Sequence, residues 1–238
     1  MPQAMPQAMP QAAPRPFEAV LFDFDGTLAS LHIDFARLRR ALTALAEPFL
    51  GEEPEPSDLP VLEWLDELAA EIREFDHPLG QEFHCRGRLV IQATELDAAR
   101  EAQLFPFTRP MLAALRADGV KTGVITRNST AAVKVVFPDV TACCDVFMAR
   151  EDAPRVKPDP AHALAVLSLL GVAPQRALLV GDHPLDIRAA RAAGLAAAAV
   201  ASGSATLEAL AAAKPDFLAA DCQELLAALR TQLLLPSA

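Results

Sequence analysis

Asp23 and Asp25 stand one residue apart at the end of a short apolar run, Ala19 to Phe24, and Gly26 follows them. The run is long enough for one buried strand and too short for a helix. Side chains alternate along a strand, so residues two apart face the same way. Both carboxylates can therefore lean into one cavity at the strand's carboxyl end, where Gly26 allows a tight turn. Carboxylates crowded in this way repel one another, and a divalent cation would relieve them. The pattern Asp-x-Asp-Gly also occurs in calcium loops and ordinary turns. Further polar groups stand in similar places. Val124-Ile125 gives way to Thr126-Arg127-Asn128, Gly181 gives way to Asp182 with Asp186 four residues on, and Lys157-Pro158 precedes a helix start. Each has a plain structural reading. Thr126 and Asn128 can cap a helix, Lys157 can be a solvated loop lysine, and Asp182 and Asp186 suit the start of a helix.

These groups can meet only if the elements before them are strands of one parallel sheet, whose carboxyl ends share an edge. The spacing predicts that arrangement. Strands are expected at 121–126, 145–149, 177–181 and 195–201, with a short one at Phe217. Helices are expected at 111–118, 128–136, 160–170, 184–193, 206–213 and 223–234. Asp159 with Pro160 opens one of these helices, and Gly171 closes it. Alternating strands and helices with short joins give an α/β fold, a doubly wound, mostly parallel, Rossmann-like sheet.

Between the first strand and the next lies a helical stretch. Asp34 can cap a helix carrying Leu38, Leu42, Leu45 and Phe49 at three- and four-residue spacing. Residues 51–57 are an acidic, proline-rich loop. A second helix opens at Asp58 and Pro60 with Leu62, Leu65, Leu68 and Ile72 inward, and the turn 77–80 ends it. A third runs from about Gln81 to Leu104, with Gly87 as a weak point. The expected organisation is a loosely attached tail over 1–16, an α/β core over 17–31 and 105–238, and an inserted helical cap over 32–104. The tail carries Met-Pro-Gln-Ala three times and lacks the charged start and apolar middle of a signal peptide.

The net charge of −10 argues against a general nucleic-acid binder but not against a small anionic substrate, which feels only the local field. The longest apolar run, 192–201, is far below the roughly 18 residues of a membrane span. Cys85, Cys143, Cys144 and Cys222 have no paired metal spacing, and reduced thiols in a cytoplasmic protein are expected. Oligomeric state is not legible.

The order Asp23-x-Asp25-Gly26-Thr27, Thr126, Lys157-Pro158 and Gly181-Asp182-x-x-x-Asp186 resembles the haloacid dehalogenase superfamily of phosphohydrolases. The helical insert resembles the small cap of its phosphoglycolate phosphatase-like branch. The resemblance implies that Asp23 is a nucleophile forming an aspartyl-phosphate and that Asp25 is an acid/base. It implies Mg²⁺ held by Asp23, Asp182, the Asp25 main-chain carbonyl and Asp186 through water. Lys157 would offset charge, and Thr126 with the backbone around Asn128 would hold phosphoryl oxygens. Arg127 joins Thr126, Asn128 and Lys157 in the substrate-binding set but has no catalytic role, and His183 has none. His162 is expected to be packed or partly exposed. Arg37, Arg39, Arg40 and the His84-Arg86-Arg88 group are candidates for a distal anion, against the plainer reading of a solvated basic face. Asp25 weighs against a true dehalogenase, and the cap lacks an obvious lysine–histidine pair of a sugar-phosphate mutase. The expected activity is Mg²⁺-dependent hydrolysis of a small phosphorylated metabolite. A phosphosugar mutase, a pyrophosphatase and a non-catalytic binding module stand as alternatives.

Overall fold

A computed structural model describes residues 16–235, so the Met-Pro-Gln-Ala repeats lie outside the described residues. In chain order the strands are β1 (Ala19–Phe22), β2 (Ala29–Ser30), β3 (Gln103–Leu104), β4 (Lys121–Ile125), β5 (Val146–Met148), β6 (Ala177–Gly181), β7 (Ala196–Val200) and β8 (Phe217–Ala219). The helices are α1 (Phe35–Leu50), α2 (Val61–Phe75), α3 (His77–Ala99), α4 (Thr108–Ala117), α5 (Thr130–Val136), α6 (Val140–Cys143), α7 (Pro160–Leu170), α8 (Pro184–Ala193), α9 (Leu207–Ala212) and α10 (Cys222–Thr231).

Six strands form one sheet in the order β5-β4-β1-β6-β7-β8, and every neighbouring pair is parallel. The chain builds outward from β1 through β4 to β5, then returns to the other side of β1 with β6. That reversal opens a crevice at the carboxyl end of β1, the usual ligand position of such sheets. Phe22 lies level with Val124 of β4 and Val180 of β6, each of which runs one residue further, so the three strand ends lie side by side.

The strands of this sheet read as unbroken apolar runs because both faces are covered. Val20 and Phe22 point into one cluster with Leu112, Val133 and Leu225. Ala19 and Leu21 point into the other with Val166, Leu167 and Ile187. The sequence is α/β and doubly wound, as expected.

Helices α1, α2 and α3 have a cluster of their own, including Leu38, Leu42, Trp64, Leu65, Phe83 and Ile91. Four details differ from the sequence reading. Residues 77–80 are the first turn of α3, because the Asp76 side chain caps it by accepting from the Leu79 N–H at 3.0 Å. Gly87 is no weak point: α3 runs through it, and a Cβ there would overlap Leu65 of α2. The helix ends at Ala99, and Gln103–Leu104 forms β3, pairing antiparallel with β2 beside the insert's two entry points. On α2 the inward stripe runs through Val61, Trp64, Leu65, Leu68, Ala69 and Ile72, with Leu62 only half-buried.

Candidate active site

β1 ends at Phe22, one residue before Asp23, so the two aspartates sit in the turn after the strand rather than on its alternating faces. The Asp23 N–H still donates to Val180 O at 2.8 Å, which holds the turn against β6. Gly26 adopts φ 75°, a left-handed conformation that a Cβ disfavours. Ser202 Oγ donates to the Gly26 carbonyl at 2.7 Å, tying the loop after β7 to this turn.

Around that turn the structure gathers the other strand-end residues. Lys157 Nζ lies 2.7 Å from Asp23 Oδ1 and 2.7 Å from Asp186 Oδ1, with its side chain 1% exposed. Asn128 Nδ2 is 3.1 Å from Asp25 Oδ1 and 3.2 Å from Oδ2. Thr126 Oγ1 donates to Asp25 Oδ2 at 3.5 Å and accepts from the Asn128 N–H at 3.0 Å. Asp182 Oδ2 accepts from the Ser204 N–H at 2.9 Å. Asp186 also serves α8: it accepts from the His183 N–H at 3.1 Å as half of a capping box.

Burial dominates the electrostatics. Removal from water pushes Asp23 up to about 7, and Asp186 and Asp182 push the same way against Lys157. Burial likewise raises Asp25 to about 7, with the Asp23 charge adding and the Asn128 amide opposing. Asp182 rises to about 7 through burial and the Asp186 charge. Burial would lower Lys157, but the Asp186 and Asp23 carboxylates outweigh it and hold the ammonium above its usual value.

One carboxylate oxygen from each of Asp23, Asp182 and Asp186 comes within 4.8 Å of the other two. Hard oxygen donors in a buried, mutually repelling set suit a small divalent cation. The local backbone makes room for them. A Cβ at Gly181 would overlap the Asp186 carboxyl, and one at Gly203 would overlap that of Asp182. The Asp25 carboxylate is not in this cluster.

These residues form the floor of a cavity of about 600 Å³, roofed by α1, α2 and α3. Two arginines join floor to roof. Arg127, expected among the substrate-binding groups, does line the cavity, but its fork is bidentate on Glu63 of α2 at 2.8 and 2.6 Å. It also donates to the Lys157 carbonyl. Arg150 pairs with Glu95 of α3, both side chains 4% exposed, and donates to the Arg127 carbonyl at 2.9 Å. Sequence reasoning missed Glu63, Glu95 and Arg150. Glu95 left a signal, since Phe83, Gly87, Ile91, Glu95 and Ala99 recur every four residues and all are buried. A charge on an inward stripe demands a partner.

Of the other candidates, His162 is buried and bonds through Nε2 to Met148 O at 3.2 Å, away from the cavity lining. Of the six basic candidates on the insert, only Arg39 lines the cavity, while His84 pairs with Asp66 and Arg86 with Glu82; His32, not among those candidates, also lines it.

Among the described residues no helix is long and apolar enough to cross a membrane. The chain is 30% identical to a phosphoglycolate phosphatase of Shigella dysenteriae, over 88% of this chain and 91% of that one. It is 31% identical, with the same coverage, to a phosphoglycolate phosphatase of Salmonella typhimurium. Its fold is similar to that of a haloacid dehalogenase-like family hydrolase from Streptococcus pneumoniae. That structure gives a TM-score of 0.58 at 22% identity, covering 90% of this chain and 98% of the other. Residues 17–194 match the haloacid dehalogenase-like hydrolase family itself, and the chain belongs to that family.

Proposed function

We propose that the protein is a Mg²⁺-dependent phosphomonoesterase that hydrolyses a small phosphorylated metabolite through an aspartyl-phosphate on Asp23. The observation that carries this reading is the buried Asp23–Lys157–Asp186 arrangement beside Asp25, opening into a cavity. The relatives named phosphoglycolate phosphatase support the substrate class.

In this reading the Asp23 carboxylate attacks phosphorus, and the bond from phosphorus to the leaving oxygen breaks. Asp25, which burial keeps protonated up to about 7, gives its proton to that oxygen. It then takes a proton from the water that attacks the aspartyl-phosphate, releasing inorganic phosphate and restoring Asp23. Phosphate monoesters are among the slowest bonds to hydrolyse, with enzymatic accelerations of up to roughly 10²¹-fold, and the central difficulty is an anion attacking a dianion. A unit-charge repulsion at about 4 Å costs roughly 4 kcal/mol at an effective dielectric near 20. Lys157, already held in its charged form, offsets part of it. Asp23, Asp182, Asp186 and the Asp25 main-chain carbonyl would hold Mg²⁺, which supplies further positive charge at the phosphoryl oxygens. Thr126, Asn128 and Lys157 would hold those oxygens, while Arg127 is assigned to keeping the roof in place through Glu63.

The roof, residues 32–104, acts as a cap that excludes water from the site. Cytoplasmic placement is the matching reading for four free cysteines, two of them buried. The test is phosphate release from a panel of small phosphate monoesters, with magnesium and then with excess chelator. Magnesium-dependent release is expected. Silence across the panel from folded protein would overturn the reading.

A further inference from the structure

The wall above the catalytic floor is apolar where a two-carbon acid would need charge. Phe35 and Leu38 of α1, Val61 and Leu62 of α2 and Ile91 of α3 all line the cavity, and Leu185 of α8 joins them from the core. The volume of about 600 Å³ falls in the range, roughly 300–1,000 Å³, that encloses a whole organic ligand. Phe35 is 52% exposed although it faces this space, an aromatic ring with nothing yet stacked on much of it.

The cavity's lysine and arginines are already engaged, and its remaining basic side chains are the imidazoles of His32 and His183. Lys157 sits between Asp23 and Asp186. Arg127 is spent on Glu63, and Arg150 on Glu95. Arg39 donates to the carbonyls of Ser57 and Leu59, with its guanidinium carbon 5.3 Å from the centroid of the Trp64 ring. Asp58 lines the same wall and adds negative charge. A carboxylate on the leaving group would have to break one of these pairings, turn to the exposed imidazole of His32 or His183, or lie unpaired against aliphatic side chains, which is unfavourable.

We propose that the substrate is a phosphate monoester whose leaving group is apolar and longer than two carbons, seated against Phe35, Leu38, Val61, Leu62 and Ile91. This rests on the phosphomonoesterase reading and narrows it, setting the chain apart from the substrate that names its relatives. Burial of each methylene on that wall should tighten binding roughly fourfold.

Phosphonates carry a carbon–phosphorus bond that the mechanism does not cleave, so they read binding without turnover. The test is calorimetric titration of the full chain, with magnesium, using methyl-, propyl- and hexylphosphonate and the carboxylate-bearing 3-phosphonopropionate. Affinity should climb with alkyl length, and hexylphosphonate should bind at least about tenfold more tightly than 3-phosphonopropionate. Phe35→Ser, at an exposed position that folding does not need, should remove about tenfold from hexylphosphonate and leave 3-phosphonopropionate unchanged. The proposal is overturned if 3-phosphonopropionate binds as tightly as hexylphosphonate, if chain length has no effect, or if no phosphonate binds. The phosphatase reading fails separately, by absence of phosphate release in the turnover assay.

Discussion

The side-chain amide of Asn128 spans the Asp25 carboxyl, 3.1 Å from one oxygen and 3.2 Å from the other. The two residues are far apart in sequence and meet because β1 and β4 are neighbours that end within one residue of each other. In the proposed reaction this contact fixes the plane of the carboxyl that gives the proton. Asn128→Ala should therefore lower kcat by about 10- to 100-fold, a share of the roughly 10²–10⁴-fold that a positioned acid/base contributes. Steady-state rates with unchanged kcat would show that Asp25 needs no such support.

Gly181 and Gly203 leave space that the Asp186 and Asp182 carboxyls fill. Saturating magnesium should raise the melting temperature of the wild type by roughly 5–10 °C, as a ligand bound at about a hundred times its dissociation constant would. Gly203→Ala should lose most of that rise while still folding cooperatively. Scanning calorimetry with magnesium and with chelator reads both; an undiminished rise in the variant would remove Asp182 from the cation site.

Glu95 and Arg150 form a buried pair between α3 and the loop after β5. Removing one partner strands the other charge, so Glu95→Gln should cost roughly 3–5 kcal/mol. Replacing both, as Glu95→Leu with Arg150→Met, should recover much of it. A double-mutant cycle by denaturant melting measures the difference, and additive losses would mean that the two side chains are not coupled.

His162 gives the fold a pH dependence. Burial, helped by the Lys157 charge, pushes it down to about 4 from 6.5. The unfolded chain takes up the proton first, so the stability contribution is present above 6.5 and is lost as pH falls through about 4. The loss amounts to roughly 3 kcal/mol. His162→Gln should flatten that part of the stability curve; an unaltered acid limb would place the titration elsewhere.

Most of the floor was legible in the sequence, because a parallel sheet brings strand ends to one edge whatever lies between them. Asp23, Asp25, Thr126 and Asp182 stand where apolar runs stop, whereas Lys157 before a helix start and Asp186 four residues past Asp182 stand out only through the motif order that resembles the family. The alternation argument for Asp23 and Asp25 gave the right neighbours for the wrong reason, since the strand stops at Phe22 and the turn aims both groups. The roof was less legible. Helical spacing locates α1 to α3 but says nothing of their tilt, so neither the Arg127–Glu63 contact nor the apolar wall could be read. The β2–β3 pair escaped because two-residue strands carry no periodicity. Arg127 illustrates the limit: its position beside Thr126 is sequence-determined, but its partner is set by the docking of α2.

The proposed reaction places the phosphoryl group on Asp23. Wild-type protein turning over a phosphate monoester would be acid-quenched, digested and examined by mass spectrometry. A phosphoryl adduct on the peptide containing Asp23 is expected with magnesium, lost with chelator, and missing from a folded, inactive Asp23→Asn variant. Phosphate release at the wild-type rate by Asp23→Asn, with no adduct on that peptide in the wild type, would contradict the account.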